Sequence, residues 1–289
     1  MAYSQPTISI IIPTYNRSKL LYYTLSSICK QRDQHFNMEI IVVDDGSSDD
    51  TYEVALSFKD ILTLKYLFQE DKGYRVASAR NLGIRHSSGE IIVFIDSGMI
   101  LSPDCIASHL ESHQQTKEAT AVIGYMLGLE EPDTGDEILP SQINTDDPET
   151  SITSILASKR FLDIREKTFK LCRDDLSTLP APWALFWTGN ASVKTIAIES
   201  VGSFDTNYDG RWGVEDIDLG FRLFKNGTQF ILNRKATAIH YPHGGNLKNK
   251  LVEEYQNKVY FHQKNQSIES EILLHATHSA ALNTQVKEG

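Results

Sequence analysis

The stretch Ile40-Ile41-Val42-Val43-Asp44-Asp45-Gly46-Ser47-Ser48-Asp49-Asp50-Thr51 decides the fold. Four consecutive apolar residues, mostly β-branched, make a strand with no solvent face. Two carboxylates, a glycine and two serines follow, and Thr51–Phe58 reads as a helix. A buried strand that ends in a polar turn and feeds a helix is the repeating unit of an open parallel sheet.

The same unit recurs on both sides. Ile8–Ile12 is a strand stopped by Pro13, and Leu20, Leu21, Leu25 and Ile28 follow at helical spacing. Leu62–Leu67 is a third strand, Tyr74–His86 a helix broken at Gly89, and Ile91–Ile95 a fourth strand. Ser102-Pro103 opens another helix, and Ala121–Ile123 reads as a fifth strand. The expectation is an α/β fold with a mostly parallel central sheet flanked by helices. Ser151–Leu171 carries a helical pattern, and 183–243 forms a second block with its own strands and one helix, Val214–Phe224. Residues 265–289 read as a polar tail, partly ordered at most.

Composition narrows the function. The chain has 289 residues, 40% hydrophobic and 23% charged, enough to bury a sizeable core. Lys and Arg total 28 against 38 Asp and Glu, a formal charge of −10. That balance argues against nucleic acid or an anionic lipid surface as partner. Eight of the carboxylates fall within 130–149, with no Lys or Arg between Lys117 and Lys159, so the remainder is close to neutral. Pro132, Gly135, Pro140 and Pro148 mark that stretch as a loop or mobile flap. Cys29, Cys105 and Cys172 lie far apart with no CxxC spacing, which suggests neither a disulfide framework nor a zinc site. The start lacks a signal-peptide pattern, and no apolar run reaches membrane-helix length. A cytoplasmic setting is expected, with peripheral membrane attachment as its variant.

Ligands of an open parallel sheet bind outside the carboxyl ends of its strands. Pro13-Thr14-Tyr15-Asn16-Arg17 follows strand one, Asp44-Asp45-Gly46 strand two, and Asp96-Ser97-Gly98 strand four. Neither GxGxxG nor GxxxxGK[ST] follows strand one, so dinucleotide and P-loop readings lose their main support. A nucleotide would be held by side chains: Asp45 accepting from a base or ribose, and Lys72, Arg75 or Arg80 facing phosphate.

The segments IIPTYNR, IIVVDDGSSDDT and GYRVASARNLGIRHSSGEIIVFIDSG resemble family-2 glycosyltransferases of the GT-A fold, over roughly residues 7–125. Trp187-Thr188-Gly189-Asn190 through Arg211-Trp212-Gly213-Val214-Glu215-Asp216-Ile217-Asp218 resembles the C-terminal part of galactosyltransferase-like enzymes. The resemblance implies one GT-A domain over 1–264: a nucleotide-sugar half (7–125), an acidic loop and helical connector (126–182), and an acceptor half (183–245). It implies that Pro13, Thr14, Tyr15 and Arg17 frame the nucleotide, that Asp45 holds the base, usually uracil, and that Arg80 lies nearby. Asp96 opens the DxD motif for ribose and a divalent metal. Trp212 and Gly213 line the donor or acceptor pocket, and Asp216, beside Glu215, is the general base. His243 or His240 completes a metal site with Asp96. The third DxD position is Gly98, which has no side chain, so Mn²⁺, Mg²⁺ and no metal all stay open.

The expected activity is inverting transfer of a sugar, galactose or N-acetylgalactosamine by likeness, from a UDP-sugar. The acceptor is a glycan, peptide, lipid carrier or small molecule, and the oligomeric state stays open. The alternatives are a catalytically inactive nucleotide-sugar or carbohydrate-binding protein and a nucleotidyltransferase. Blander readings stand beside these. Asp44 and Asp45 suit an ordinary turn, and Asp49 a helix N-cap. Arg75 and Arg80 suit solvated helix positions. Glu215, Asp216 and Asp218 suit a helix first turn, at roughly 0.3–1 kcal/mol each. Trp183 and Trp187 suit core or pocket wall. His109 and His113, one helical turn apart, read as exposed. The acidic loop reads as a flap near the acceptor entrance.

Overall fold

The computed structural model describes residues 7–32, 36–116, 118–129, 138–244, 247–276 and 279–283. The first half runs β1 (Ile8–Thr14), α1 (Ser18–Ile28), β2 (Met38–Asp44), α2 (Thr51–Ser57), β3 (Leu64–Phe68), α3 (Val76–His86), β4 (Ile91–Ile95), β5 (Met99–Leu101), α4 (Cys105–Gln115) and β6 (Thr120–Leu127). The second runs α5 (Ile138–Gln142), α6 (Pro148–Ser158), α7 (Glu166–Leu171), β7 (Asn190–Lys194), α8 (Thr195–Ser200), α9 (Glu215–Lys225), β8 (Gln229–His240), α10 (Leu247–Asn265) and α11 (Ile268–His275). One eight-stranded sheet has the order β3-β2-β1-β4-β7-β6-β8-β5. β1 pairs in parallel with β2 and β4, and β2 with β3. β7 is antiparallel to β4 and β6, and β8 runs parallel to β6. The carboxyl ends of β1, β2, β4 and β8 and the start of β7 therefore share one edge.

Strand alternation sorts the core into two layers. Ile10, Ile12, Ile40, Val42, Val93 and Ile95 pack on one face with Leu21, Leu25, Ile106 and Leu110. Ile11, Ile41, Val43, Ile92 and Phe94 pack on the other with Ala77, Ile84 and the second-half aromatics. In α3, a Cβ at Gly83 would stand 2.6 Å from Ile11 Cγ2, so glycine is what lets this helix lie against the sheet.

The structure corrects several expectations. The helical pattern over Ser151–Leu171 breaks between α6 and α7, where Lys159 and Phe161 take positive φ. The cause is Arg165, which turns inward and is fully buried. It pairs with buried Asp163 through Nε at 2.9 Å and Nη2 at 2.7 Å, and donates to the carbonyls of Leu185 and Gly124. His109 and His113 are buried, not exposed. His109 bonds Ser192 Oγ and Asn190 Oδ1 at 2.9 Å each, and His113 bonds the same serine. α4 thus turns its histidines toward β7, and burial lowers them to about 4 and about 3, so both stay neutral. The polar tail is packed over its described residues, which end at Asn283. α11 opens with a Ser267–Ser270 capping box, and Leu273, Ala280 and Leu282 are buried. Asn283 makes two hydrogen bonds with the Ala181 backbone.

Residues 130–137 of the acidic stretch lie outside the described residues. Its second part is anchored rather than a free loop. Asp147 caps α6 by accepting from the Thr150 amide, Glu149 pairs with Arg32, and Lys30 donates to the Thr145 and Asp146 carbonyls.

Replacing Arg165 by Ala leaves the buried Asp163 without its partner. The expected loss is about 3–5 kcal/mol of unfolding free energy, read from urea midpoints at constant slope. An unchanged midpoint would show that the pair does not hold this turn.

Candidate active site

At the shared sheet edge the two aspartates after β2 separate. Asp44 is the turn residue: Oδ1 accepts from the Gly46 and Ser47 amides, and Oδ2 from Tyr66 Oη. Asp45 faces across the edge. Its Oδ1 accepts from Gln69 Nε2 at 2.6 Å and Arg75 Nη2 at 3.0 Å, and its Oδ2 from the Arg75 amide at 2.8 Å. Arg75 is thus tied to Asp45 and the Glu70 carbonyl rather than free for phosphate. The Pro13–Arg17 turn is knitted to the same loop. Asn16 joins Ser47 and Ser48, and Asp49 accepts from the Ser18 amide of α1 as well as from Thr51. Thr14 is buried, and Tyr15 is exposed with its hydroxyl on Asp71 at 2.8 Å.

Arg80 links the two halves. It is 3% exposed, so it is no solvated helix charge. Nη1 donates to Glu215 Oε1 at 2.7 Å and Nη2 to Asp96 Oδ1 at 2.9 Å. Burial works against its charge, and Asp96 and Glu215 more than offset this, so the guanidinium is held firmly cationic. Asp216, adjacent to Glu215, is half-buried. Its oxygens accept from the Ile217 amide at 2.8 Å and the Thr188 amide at 3.4 Å. Burial pushes its carboxyl up to about 7, with the Glu215 charge adding and Arg80 opposing. The Thr188–Asn190 turn joins the Asp216 carboxylate to the backbone of Asp96, since the Gly189 carbonyl accepts from the Asp96 amide at 3.2 Å. Ahead of the acidic pair, Gly213 and Val214 both have positive φ, 88° and 75°. A β-branched residue in that region is strained, and the strain sets the angle at which α9 begins.

The end of β8 supplies the histidines. His240 sits opposite Met99 in the sheet, and the Gly98 carbonyl accepts from the Tyr241 amide at 2.9 Å. The His240 and His243 rings are 5.1 Å apart. Burial, then His243, lower His240 to about 4, and burial, then Arg17, lower His243, so both rings are neutral at pH 7. Arg17 Nη1 lies 3.1 Å from His243 Nε2.

α10, unmarked by any motif, packs beside Trp212 and Gly213. Glu253 accepts from the Trp212 amide at 2.9 Å, and buried Asn257 donates to the Gly213 carbonyl at 2.7 Å. Lys250 Nζ stands 5.3 Å above the Trp212 ring. Asp209 and Ser78 tie this loop to the start of α3, where the Tyr74 carbonyl also accepts from the Gly210 amide at 2.6 Å. Sequence reading missed Glu253, Asn257, Asp209 and Ser78. The one available signal was the helix-forming composition of 247–265, which locates a helix but not its face. Trp183 is core. Trp187 is a half-buried wall bonded to Ser279, with Arg165 4.9 Å from its ring.

The sequence model of glycosyl transferase family 2 matches residues 9–154. The chain belongs to this family. It is 39% identical over 238 residues to the validoxylamine A glucosyltransferase of Streptomyces hygroscopicus subsp. jinggangensis, covering 82% of this chain and 56% of that one. It is 31% identical over 284 residues to the chondroitin synthase of Escherichia coli, covering 92% and 40%. The chain thus spans about half the length of the curated relatives it matches. Its fold matches a mannosyltransferase from Pyrobaculum calidifontis solved with GDP-Man and Mn²⁺, at TM-score 0.62, 18% identity and coverage of 99% and 76%. S. aureus TarS 1-349 solved with UDP-GlcNAc matches at TM-score 0.61, 17% identity and coverage of 97% and 70%. The fold is the GT-A fold expected from the sequence.

Within this family-2 chain, the expected metal set of Asp96, His240 and His243 is brought to one edge but not assembled. No group of three His, Cys, Asp or Glu side chains among the described residues is arranged to hold a metal. Gly98 explains part of this. Its φ is +101°, and a Cβ there would meet Leu20 side-chain carbons at 3.5–3.7 Å, so this position points at α1. The donor chemistry that remains still fits a cation arriving with phosphate oxygens: one carboxylate and a neutral imidazole. Changing Gly98 to Asp restores the motif in sequence only. It is expected to cost about 1–2 kcal/mol through backbone strain and to leave Mn²⁺ affinity unchanged, checked by melting temperature and Mn²⁺ titration. An unchanged melting temperature with tighter Mn²⁺ would refute the backbone argument.

Proposed function

We propose that the chain is an inverting glycosyltransferase that moves a hexose from a UDP-sugar to an acceptor hydroxyl, with Asp216 as general base. The observation that carries this is a half-buried carboxylate of near-neutral basicity at the seam of the two halves, beside the Arg80–Glu215–Asp96 bridge. A base with a pKa near the working pH combines a useful ionised fraction with proton affinity. Asp216 takes the acceptor proton while the acceptor oxygen bonds C1 of the sugar. The C1–oxygen bond to the diphosphate breaks on the opposite face, and UDP leaves with the electron pair.

In this reading Pro13, Thr14 and Tyr15 frame the base, and a uracil N–H takes the place of the Gln69 amide on Asp45. Asp96 faces the ribose. A divalent cation bound with the diphosphate would be held by Asp96 and His240 or His243, and would neutralise leaving-group charge. Trp212 and Gly213 wall the sugar pocket. The relatives' activities include glucosyl transfer, so glucose joins galactose and N-acetylgalactosamine as a donor sugar to test. Gly98 favours, as a second reading, a binding protein without turnover.

The test is UDP release from purified protein given UDP-glucose, UDP-galactose and their N-acetyl forms, beside a thermal shift with UDP. No release with a clear UDP shift supports the second reading; no shift with any nucleoside diphosphate removes the donor reading. Asp216→Asn should cut transfer by about 10²–10⁴-fold with UDP binding unchanged, and retained turnover would remove its role as base. Because the base must be ionised, kcat/KM should fall about tenfold per pH unit below about pH 7, measured with a saturating acceptor panel. A flat profile between pH 5 and 8 would contradict this assignment.

A further inference from the structure

Three segments far apart in sequence place Arg17, His243 and Lys250 around His240, which also feels the Asp96 charge. Arg17 is the N-cap residue of α1, His243 follows β8, and Lys250 lies in α10. Arg17 Nη1 is 3.1 Å from His243 Nε2, and Arg17 repels Lys250 electrostatically. Lys250 is held over the Trp212 ring at 5.3 Å. Neither cation has a carboxylate within ion-pair distance among the described residues. The nearby acid Glu253 attracts Lys250 from beyond that distance and accepts the Trp212 amide. The other cations of the edge are committed: Arg75 to Asp45, and Arg80 to Asp96 and Glu215. Two mutually repelling cations with no ion-pair carboxylate among the described residues mark where an anion is expected to bind. The second DxD carboxylate, meanwhile, is absent: that position is Gly98, whose φ of +101° strains any side chain placed there.

We infer that Arg17 and Lys250 clamp the diphosphate of the nucleotide donor directly, taking over charge neutralisation that a complete DxD metal site would provide. The inference rests on the nucleotide-sugar reading above. A fork-shaped guanidinium and an ammonium suit two adjacent phosphates. His243, whose Nε2 lies 3.1 Å from Arg17 Nη1, aims the guanidinium. Lys250 does two things at once, because the same side chain that meets phosphate also covers Trp212. Filling of the diphosphate position would therefore order the acceptor wall.

The experiment measures UDP and UMP affinity by calorimetry for wild type, Arg17→Gln, Lys250→Gln and the charge-keeping Lys250→Arg, each in excess EDTA and in Mn²⁺. The wild type should bind UDP in EDTA. Each Gln variant should lose roughly tenfold or more of that affinity, the size of one charge-assisted interaction, and should lose less for UMP. Lys250→Arg should recover most of the loss. Melting temperatures without ligand verify that the variants fold. Wild-type binding that requires Mn²⁺, or Gln variants that bind UDP in EDTA as the wild type does, would overturn the clamp. Failure of the wild type to bind UDP, GDP or ADP under either condition would overturn the donor reading itself, and the clamp with it.

Discussion

The structure depends on one buried guanidinium. Arg80 sits where water is absent, so its charge must be met inside the protein, and two carboxylates meet it. One belongs to the end of β4 and the other to the start of α9, 135 residues further along the chain from Arg80. Removing either carboxylate strands a buried charge, at several kcal/mol. The two halves of the cleft are therefore fixed relative to each other by a charge requirement rather than by packing alone. The same cation opposes the upward push that burial and the Glu215 charge exert on the Asp216 carboxyl.

Around this bridge the polar groups divide into those that hold and those that face the cleft. Asp44, Asp49, Asn16 and Asp209 hold loops. Asp163 with Arg165, and His109 with Asn190 and Ser192, hold the layers beneath. Their hydrogen bonds are satisfied internally, which is what burial demands of polar groups. Asp96, Asp216, His240, Arg17 and Lys250 remain at the open edge with capacity to spare. Glu215 Oε2 is buried behind them, without a hydrogen-bond partner among the described residues.

The first half of the fold was legible because its strands are continuous β-branched runs between clear turn signals. Those features are local. The strand ends that could carry ligand residues were legible for the same reason, since a parallel sheet sends its loops to one edge. The break in Ser151–Leu171 was not, because it comes from an arginine finding Asp163 and the carbonyls of Gly124 and Leu185. The burial of His109 and His113 was equally hidden. Their spacing fits an exposed face, and only the position of β7 makes that face internal. The packed tail was read as polar because its apolar runs, Ile272-Leu273-Leu274 and Ala280-Ala281-Leu282, are only three residues long and stand among polar residues.

The sequence by itself determined the alternation of strands and helices in the first half, the family, and which residue types stand at the strand ends. Periodicity and turn chemistry act over a few residues, and motif spacing is written along the chain. Tertiary structure decided what each charge does. It gave Arg75 to Asp45 and Arg80 to two carboxylates, and left Arg17 and Lys250 without an ion-pair carboxylate among the described residues. It turned position 98 toward α1. Electrostatic roles depend on distance and burial between segments more than a hundred residues apart, and those quantities exist only once the chain has folded.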